Sequence, residues 1–196
     1  MNIAFKRLVA FIVDVVIIAI ISVVITNIPG VNPTKKDYQE QLDKYVENLT
    51  KDEVTKEESI ELNYDLNKSG IYENSINMLI SVLYFGLLPF FQEGQTIGKK
   101  ILKIKIDDIN GEKVSAGRYF LRAVILRNVL FVVINYSFLY TMSKELYYTA
   151  SQYLSLVESS VTLVIIFMMF FRIDNRGLHD LICKTKVTDL KAEASE

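Results

Sequence analysis

Charges placed where charges are costly carry the chemical interest of this chain. In RLVAFIVD, residues 7 to 14, Arg7 and Asp14 bracket an apolar segment that runs on to Thr26. An ionised aspartate in the middle of a membrane helix costs about 2.5 to 3.5 kcal/mol on insertion scales, so such a group faces protein or a wet cavity. Asp14 therefore needs a partner or a proton. Arg7 shares nearly the same helical face, but seven residues at about 1.5 Å each set the two backbones roughly 10 Å apart. Helical side chains also lean toward the N-terminus, so Arg7 is expected to snorkel to the interface instead. A second polar group lies in RYFLRAVILRNVLFVVIN, where Arg127, Asn128 and Asn135 share one arc of a continuous helix. With that arc facing the first helix, Arg127 neutralises Asp14 and the asparagines complete the hydrogen bonds. Arg122 takes that role if the helix begins later. Such a pair either fixes helix register as a buried ion pair or offers a carboxylate whose protonation or ion binding serves transport.

Other chemistries find little support. His179 and Cys183 are single in the chain, which leaves a metal site to carboxylates without suitable spacing and allows no internal disulfide. GQTIGKK is not a phosphate-binding loop: Gly94 and Gly98 are one residue too close, and no Ser or Thr follows Lys99. With no Ser/His pair, no HExxH and no paired aspartates at membrane depth, the chain is not expected to be an enzyme. No cofactor and no nucleic-acid partner are expected.

The elements that must position these charges follow from hydropathy. Half of the 196 residues are hydrophobic (51%) and the formal charge is −1, yet the apolar residues form long blocks where a soluble domain would scatter them. Four blocks are candidate spans: 5–26, 74–91, 119–142 and 153–171. The second is the shortest, since a span needs roughly 20 apolar residues. The first is retained and not a cleaved leader, because its apolar run is long, contains Asp14 and lacks a small-x-small cleavage site. Lys and Arg concentrate before the first block, in the inner loop 92–118 and in the tail 172–196, which puts all three, with both termini, on the cytoplasmic side. The acidic loop 27–73 then faces outward, as does the connection 143–152, and Tyr136, Tyr140, Tyr147, Tyr148 and Tyr153 gather at the outer interface.

Outside, Tyr38, Leu42, Tyr45, Val46 and Leu49 recur at helical spacing, and Thr50 with Glu53 has the form of a capping box opening a second short helix. The two helices form a charged hairpin over the membrane surface; a ligand-binding cap is the alternative. Inside, KILKIKIDDINGEKVSA reads as a strand through Ile101, Ile104 and Ile106, a turn at Asn110-Gly111 and a return over Glu112 to Ser115. A second alternating stretch lies in CKTKVTD. The expected fold is a membrane all-α domain over residues 1–196: a four-helix transmembrane bundle with a small cytoplasmic β-hairpin or sheet and a helical extracytoplasmic loop.

Arg7, Ala10 and Asp14 in RLVAFIVD, then GQTIGKKILKIKI with DINGEKVSAGRYFLRAVILR, and finally RGLHDLICKTKV, in that order, resemble the RDD family of bacterial membrane proteins. The resemblance covers most of the chain apart from the acidic outer loop. It departs in the length of loop 27–73 and in the isoleucine of GQTIGKK, where the family often has proline. The family is named for one arginine and two aspartates, which the resemblance places on Arg7, Asp14 and Asp180. It implies a bacterial plasma membrane location and suggests, without settling it, transport of ions or small solutes. It also draws attention to Arg176 and Asp180, one helical turn apart, which a short interfacial helix would present toward Lys99 and Lys100 or toward Arg118 and Arg122, as a lock between the membrane helices and the inner sheet.

Two functions remain open. One is a component of ion or small-solute transport, with protons or monovalent cations as partners and a homo-oligomer as the form in which four helices can enclose a pathway. The other is a membrane scaffold or assembly partner whose ion pair is purely structural. A dry, fully paired Asp14 counts against the first.

Overall fold

A computed structural model describes residues 2–51 and 54–190. Its first helix, α1 (Ile3–Thr26), starts where the Asn2 side chain accepts a hydrogen bond from the Ala4 amide. The helix is built inside out relative to a soluble one. Ala4, Arg7, Ala10, Asp14, Ile18 and Ser22 form a buried stripe at spacings of three and four, while Ile12, Val16, Ile20, Val23 and Val24 are exposed. Lipid solvates the large aliphatic face, and small or polar residues let neighbouring backbones approach.

Two helices follow outside the bundle, α2 (Lys35–Leu49) and α3 (Lys56–Ser69). They form the expected hairpin, but α3 opens at Thr55, whose side chain accepts from the Glu58 amide. Glu53 of the expected capping box lies outside the described residues. The hairpin docks on the bundle end: the Tyr64 ring meets Tyr147 edge-on at 5.7 Å, the Tyr64 hydroxyl donates to the Leu139 carbonyl at 3.4 Å, and Lys144 pairs with Glu61 at 3.0 Å.

The second span is α4 (Ile71–Phe91), which packs on α1 and on α6 (Ala116–Leu126). At Gly86 a Cβ would meet the Phe120 ring at 3.0 Å, so glycine there permits the close approach of α4 and α6. The core of the bundle is Ile18, Tyr84, Phe85 and Ala123, with Phe11 stacked on Phe85 at 5.8 Å. Between α4 and α6 lie the five-residue α5 (Ile97–Ile101) and strand β1 (Ile104–Asp108).

The third span is not one helix. α6 ends at Leu126, Asn128 takes the left-handed conformation (φ 53°), and α7 (Val129–Thr141) departs at 56°. Asparagine is among the few residues that accept this geometry, because its amide makes alternative hydrogen bonds. Here Nδ2 donates to Glu158 Oε1 at 3.2 Å and to Thr162 Oγ1 at 3.0 Å, both on α8 (Lys144–Phe171). The last span is thus longer than read from hydropathy, since residues expected to form a connection make its first turns under a Ser143 cap. Among the described residues, three helices are long and apolar enough to cross a membrane, or four with the bent α6–α7 pair as one span. The chain is a membrane protein.

The sheet differs from the expected hairpin. β1 pairs antiparallel with β2 (Thr185–Asp189) in the register Ile104↔Asp189, Ile106↔Val187, Asp108↔Thr185. Residues 112–115 turn away instead. Gly111 is left-handed (φ 81°), Asp108 accepts from the Asn110 amide at 2.6 Å, and Val114 packs on Ile106 and Tyr119. Both strands enter from the same local motif, α5 before β1 and α9 (Leu178–Ile182) before β2, each followed by a left-handed lysine, Lys103 (φ 54°) and Lys184 (φ 51°). TIGKKILKIKIDD and GLHDLICKTKVTD are thus two copies of one helix–turn–strand unit that pair with each other.

Candidate functional site

Two polar centres lie in the bundle, one at the sheet end and one at the end under the helical hairpin. At the sheet end Asp14 is fully buried (0% exposed). Its Oδ1 accepts from the Tyr84 hydroxyl and from the Gly98 amide, both at 2.7 Å, and its Oδ2 accepts from the Thr96 hydroxyl at 2.6 Å. Thr96 is also the N-cap of α5, accepting from the Lys99 amide at 3.3 Å, and it lies 3.3 Å from Lys99 Nζ. The carboxylate is therefore held by two hydroxyls and a helix-start amide, with Lys99 one hydroxyl away. Gly98 allows this docking, because a Cβ would fall inside contact distance of the Ala10 carbonyl oxygen and within 2.9 Å of Asp14 Oδ1.

Asp180 is also fully buried (0% exposed). Arg7 Nη2 donates to its Oδ2, Arg122 Nη1 to its Oδ1, and the Gly177 amide to Oδ2 at 3.0 Å. Arg7 Nη1 also donates to the Asn175 carbonyl, and Arg122 to Thr185 Oγ1 at 2.7 Å. One carboxylate thus ties α1, α6, α9 and the entry to β2. Burial opposes ionisation of Asp180, but Arg122 and Arg7 overcome this and hold its carboxyl well below the usual carboxylate range.

His179 is 2% exposed, and burial pushes it down to about 3, so it is neutral. Arg7 Nη2 lies 3.3 Å from His179 Nε2. His179 Nε2 also lies 3.5 Å from Asp180 Oδ2, and Nδ1 is buried without a hydrogen-bond partner among the described residues.

Lys99 is likewise buried, and burial pushes it down to about 8, with Asp14 opposing the shift. Its unfolded value is near 10.5, so between pH 8 and 10.5 the unfolded chain binds more protons and stability rises with pH. In neutral detergent the native chain is expected to gain up to about 2 kcal/mol over Lys99→Met from pH 8 to 9.5. Parallel unfolding curves for both chains across that range would refute this.

Several expectations are corrected here. Arg127 does not pair with Asp14, and neither does Arg122; the break at Asn128 turns the arc of Arg127, Asn128 and Asn135 toward α8. Arg7 does not snorkel, being 6% exposed and bound to Asp180. Arg176 does not share a helix with Asp180: it precedes α9, and its guanidinium reaches the Thr185 carbonyl at 2.9 Å and the Asp180 carbonyl at 3.3 Å. Of the partners expected for Asp180, Arg122 is the one it meets, while Arg118 bonds the Cys183 carbonyl at 2.7 Å. Sequence reasoning missed Tyr84, Thr96 and Gly98 as the holders of Asp14. The signal was a Thr before a Gly-Lys pair, which is a helix start able to face a carboxylate.

The second centre is a cavity of about 530 Å³ between α3, α4, α7 and α8. Asn63, Asn74, Asn77, Asn135, Gln152 and Ser155 supply polar walls, and Arg127 and Glu158 lie at the helix break. Glu158 is the carboxylate that acts on Arg127. From Tyr147 to Glu158 the cavity follows α8 for about 16 Å. Arg127 Nε, Asn77 Oδ1 and Asn135 Oδ1 are buried without a hydrogen-bond partner among the described residues. No group of His, Cys, Asp and Glu suited to a metal ion occurs among the described residues.

Comparison with known proteins gives relatives without an assigned activity. Uncharacterized protein YxaI of Bacillus subtilis (strain 168) is 31% identical over 112 residues, 57% of this chain and 54% of that protein. Uncharacterized protein YckC of the same organism is 33% identical over 110 residues, 56% of this chain and 57% of that protein. The chain thus spans about half the length of the curated relatives it matches. No solved structure matches. The model of the RDD family matches residues 3–184, which contain the Arg7–Asp180–Arg122 cluster and the Asp14 pocket, and the chain belongs to the RDD family.

Proposed function

We propose that this chain is a non-enzymatic component of small-solute transport in the bacterial cytoplasmic membrane, with both termini inside and the helical hairpin outside. The basic residues of the sheet end, among them Lys6, Lys100, Lys103, Arg118, Arg172 and Lys184, support the orientation, since the cytoplasmic side retains Lys and Arg. The observation that carries the function is the polar cavity at the α6–α7 break. Buried polar groups without partners are costly in a bundle and are expected to meet a polar ligand or water. Interrupted helices at membrane depth are also where transporters build solute sites. Arg127 beside Glu158, with amides around them, suits a small zwitterion or polyhydroxy solute better than a bare cation. Transport through Asp14 loses its support, because that carboxylate is fully buried and accepts three hydrogen bonds within the protein; Asp14 and Asp180 belong to the lock that holds the bundle to its sheet.

The test is a panel of amino acids, sugars and sodium, potassium and lithium salts offered to the purified full chain, read as a rise in unfolding temperature. Proteoliposome flux, with ion-driven proton movement as one arm, follows for any solute that binds. A binding solute is expected to lose about tenfold or more in affinity in Arg127→Gln, as for a lost charged hydrogen bond. A folded chain that neither binds nor moves any member of the panel would sink the proposal and favour a structural role.

A further inference from the structure

A second cavity, of about 140 Å³, opens between α1, α6 and α8 at the sheet end and has a different character from the first. Its walls are Leu8, Phe11, Leu126, Ile165, Ile166 and Met169, and its polar lining includes Arg7, Lys99, Arg122 and His179. Arg7 stands four residues after the start of α1, about 6 Å along the axis, near the depth of lipid headgroups. The α8 wall runs from Met169 back to Thr162, about 10 Å toward the membrane centre. The slot is therefore cationic at its interfacial end and apolar toward the hydrocarbon, the polarity sequence of a phospholipid in that leaflet.

Its charge is also unbalanced. Arg7, Lys99 and Arg122 face Asp14 and Asp180, and these are the charged groups that act on Lys99, so the buried cluster keeps one positive charge. His179 lines the same cavity, and its buried Nδ1 has no hydrogen-bond partner among the described residues. Gly177 packs closely beside it: a Cβ there would lie 3.0 Å from His179 Cε1 and 3.2 Å from both His179 Nδ1 and Met169 Cγ. An uncompensated cation in an apolar-walled slot calls for an anion, and the unpartnered imidazole nitrogen adds a polar group to the same wall.

We infer that this slot binds the headgroup phosphate of an anionic phospholipid from the leaflet on the sheet side, with an acyl chain lying along α8 between Leu126 and Ile166. Basic pockets between membrane helices recognise such headgroups by charge, and the apolar walls add the chain contacts that a free phosphate cannot make. Exposed Ile166 stands at the lipid-facing mouth.

The experiment places the purified full chain in nanodiscs of equal phosphatidylcholine and phosphatidylglycerol and reads retained lipids by native mass spectrometry. One phosphatidylglycerol per chain is expected, preferred about tenfold over phosphatidylcholine, with a higher unfolding temperature than in phosphatidylcholine alone. Inorganic phosphate at millimolar concentration is expected to give no such rise. Ile166→Trp, which fills the mouth and leaves every charge in place, is expected to abolish the preference while unfolding normally in phosphatidylcholine. Met169→Trp fills the same space one turn away and replaces it if the first variant does not fold. Equal retention of the two lipids by the native chain, reproduction of the stabilisation by inorganic phosphate, or an undiminished preference in the folded tryptophan variant would each overturn the inference.

Discussion

Asp180→Asn is expected to leave little folded protein. The change removes the one carboxylate shared by Arg7 and Arg122, both of which stay largely buried. Breaking a buried ion pair from one side costs about 3 to 5 kcal/mol, and two guanidiniums lose their counter-charge at once. Since folded domains hold only about 5 to 15 kcal/mol in reserve, the monodisperse fraction after purification should collapse. The cost belongs to orphaned charges and not to lost volume, and a triple replacement separates the two. Arg7→Met with Arg122→Met and Asp180→Leu exchanges the buried ions for apolar groups, and it should recover folded protein that Asp180→Asn loses. Normal yield and unfolding temperature in Asp180→Asn would show that the cluster does not hold the bundle together.

Gly98→Ala should be nearly as severe, for a steric reason. One methyl group would fall inside contact distance of the Ala10 carbonyl oxygen and within 2.9 Å of the Asp14 carboxylate. Neither can yield, because the first belongs to the α1 backbone and the second is held by Tyr84 and Thr96. The start of α5 must then move off α1, which strips the Gly98 amide from Asp14 and leaves a buried carboxylate short of a donor. A loss of about 2 to 4 kcal/mol is expected, combining overpacking with the unmet carboxylate. Gly117→Ala serves as the control, because no atom stands within 4 Å of a Cβ there. If the two alanine variants unfold alike, the docking of α5 on α1 is looser than its geometry implies.

Both predictions involve residues that were legible to different degrees. Arg7, Asp14 and Arg122 could be picked out of the sequence, because a charge in or beside an apolar block is conspicuous whatever surrounds it, whereas Asp180 stood out only through the resemblance to the RDD family. Their partners could not. Asp14 was assigned to Arg127 on the assumption that residues 119–142 form one straight helix, and a single left-handed residue, Asn128, removed that geometry. The pairing of TIGKKILKIKIDD with GLHDLICKTKVTD depends on two chain segments about 80 residues apart meeting edge to edge. The local hairpin at Asn110-Gly111 closes a shorter loop, but Val114 of its expected return over residues 112–115 packs on Ile106 and Tyr119 instead.

The sequence by itself determined that this is a membrane chain, roughly where its spans lie, and which few charges must be accommodated inside it. These are properties of transfer from water to lipid, which act residue by residue and need no knowledge of neighbours. Tertiary structure alone decided that Asp14 is satisfied by hydroxyls and an amide, that Asp180 gathers two arginines, and that Arg127 faces Glu158 across a polar cavity. Electrostatic and hydrogen-bond energies depend on separations of a few ångströms between groups far apart in the chain, and only the folded arrangement of helices sets those separations.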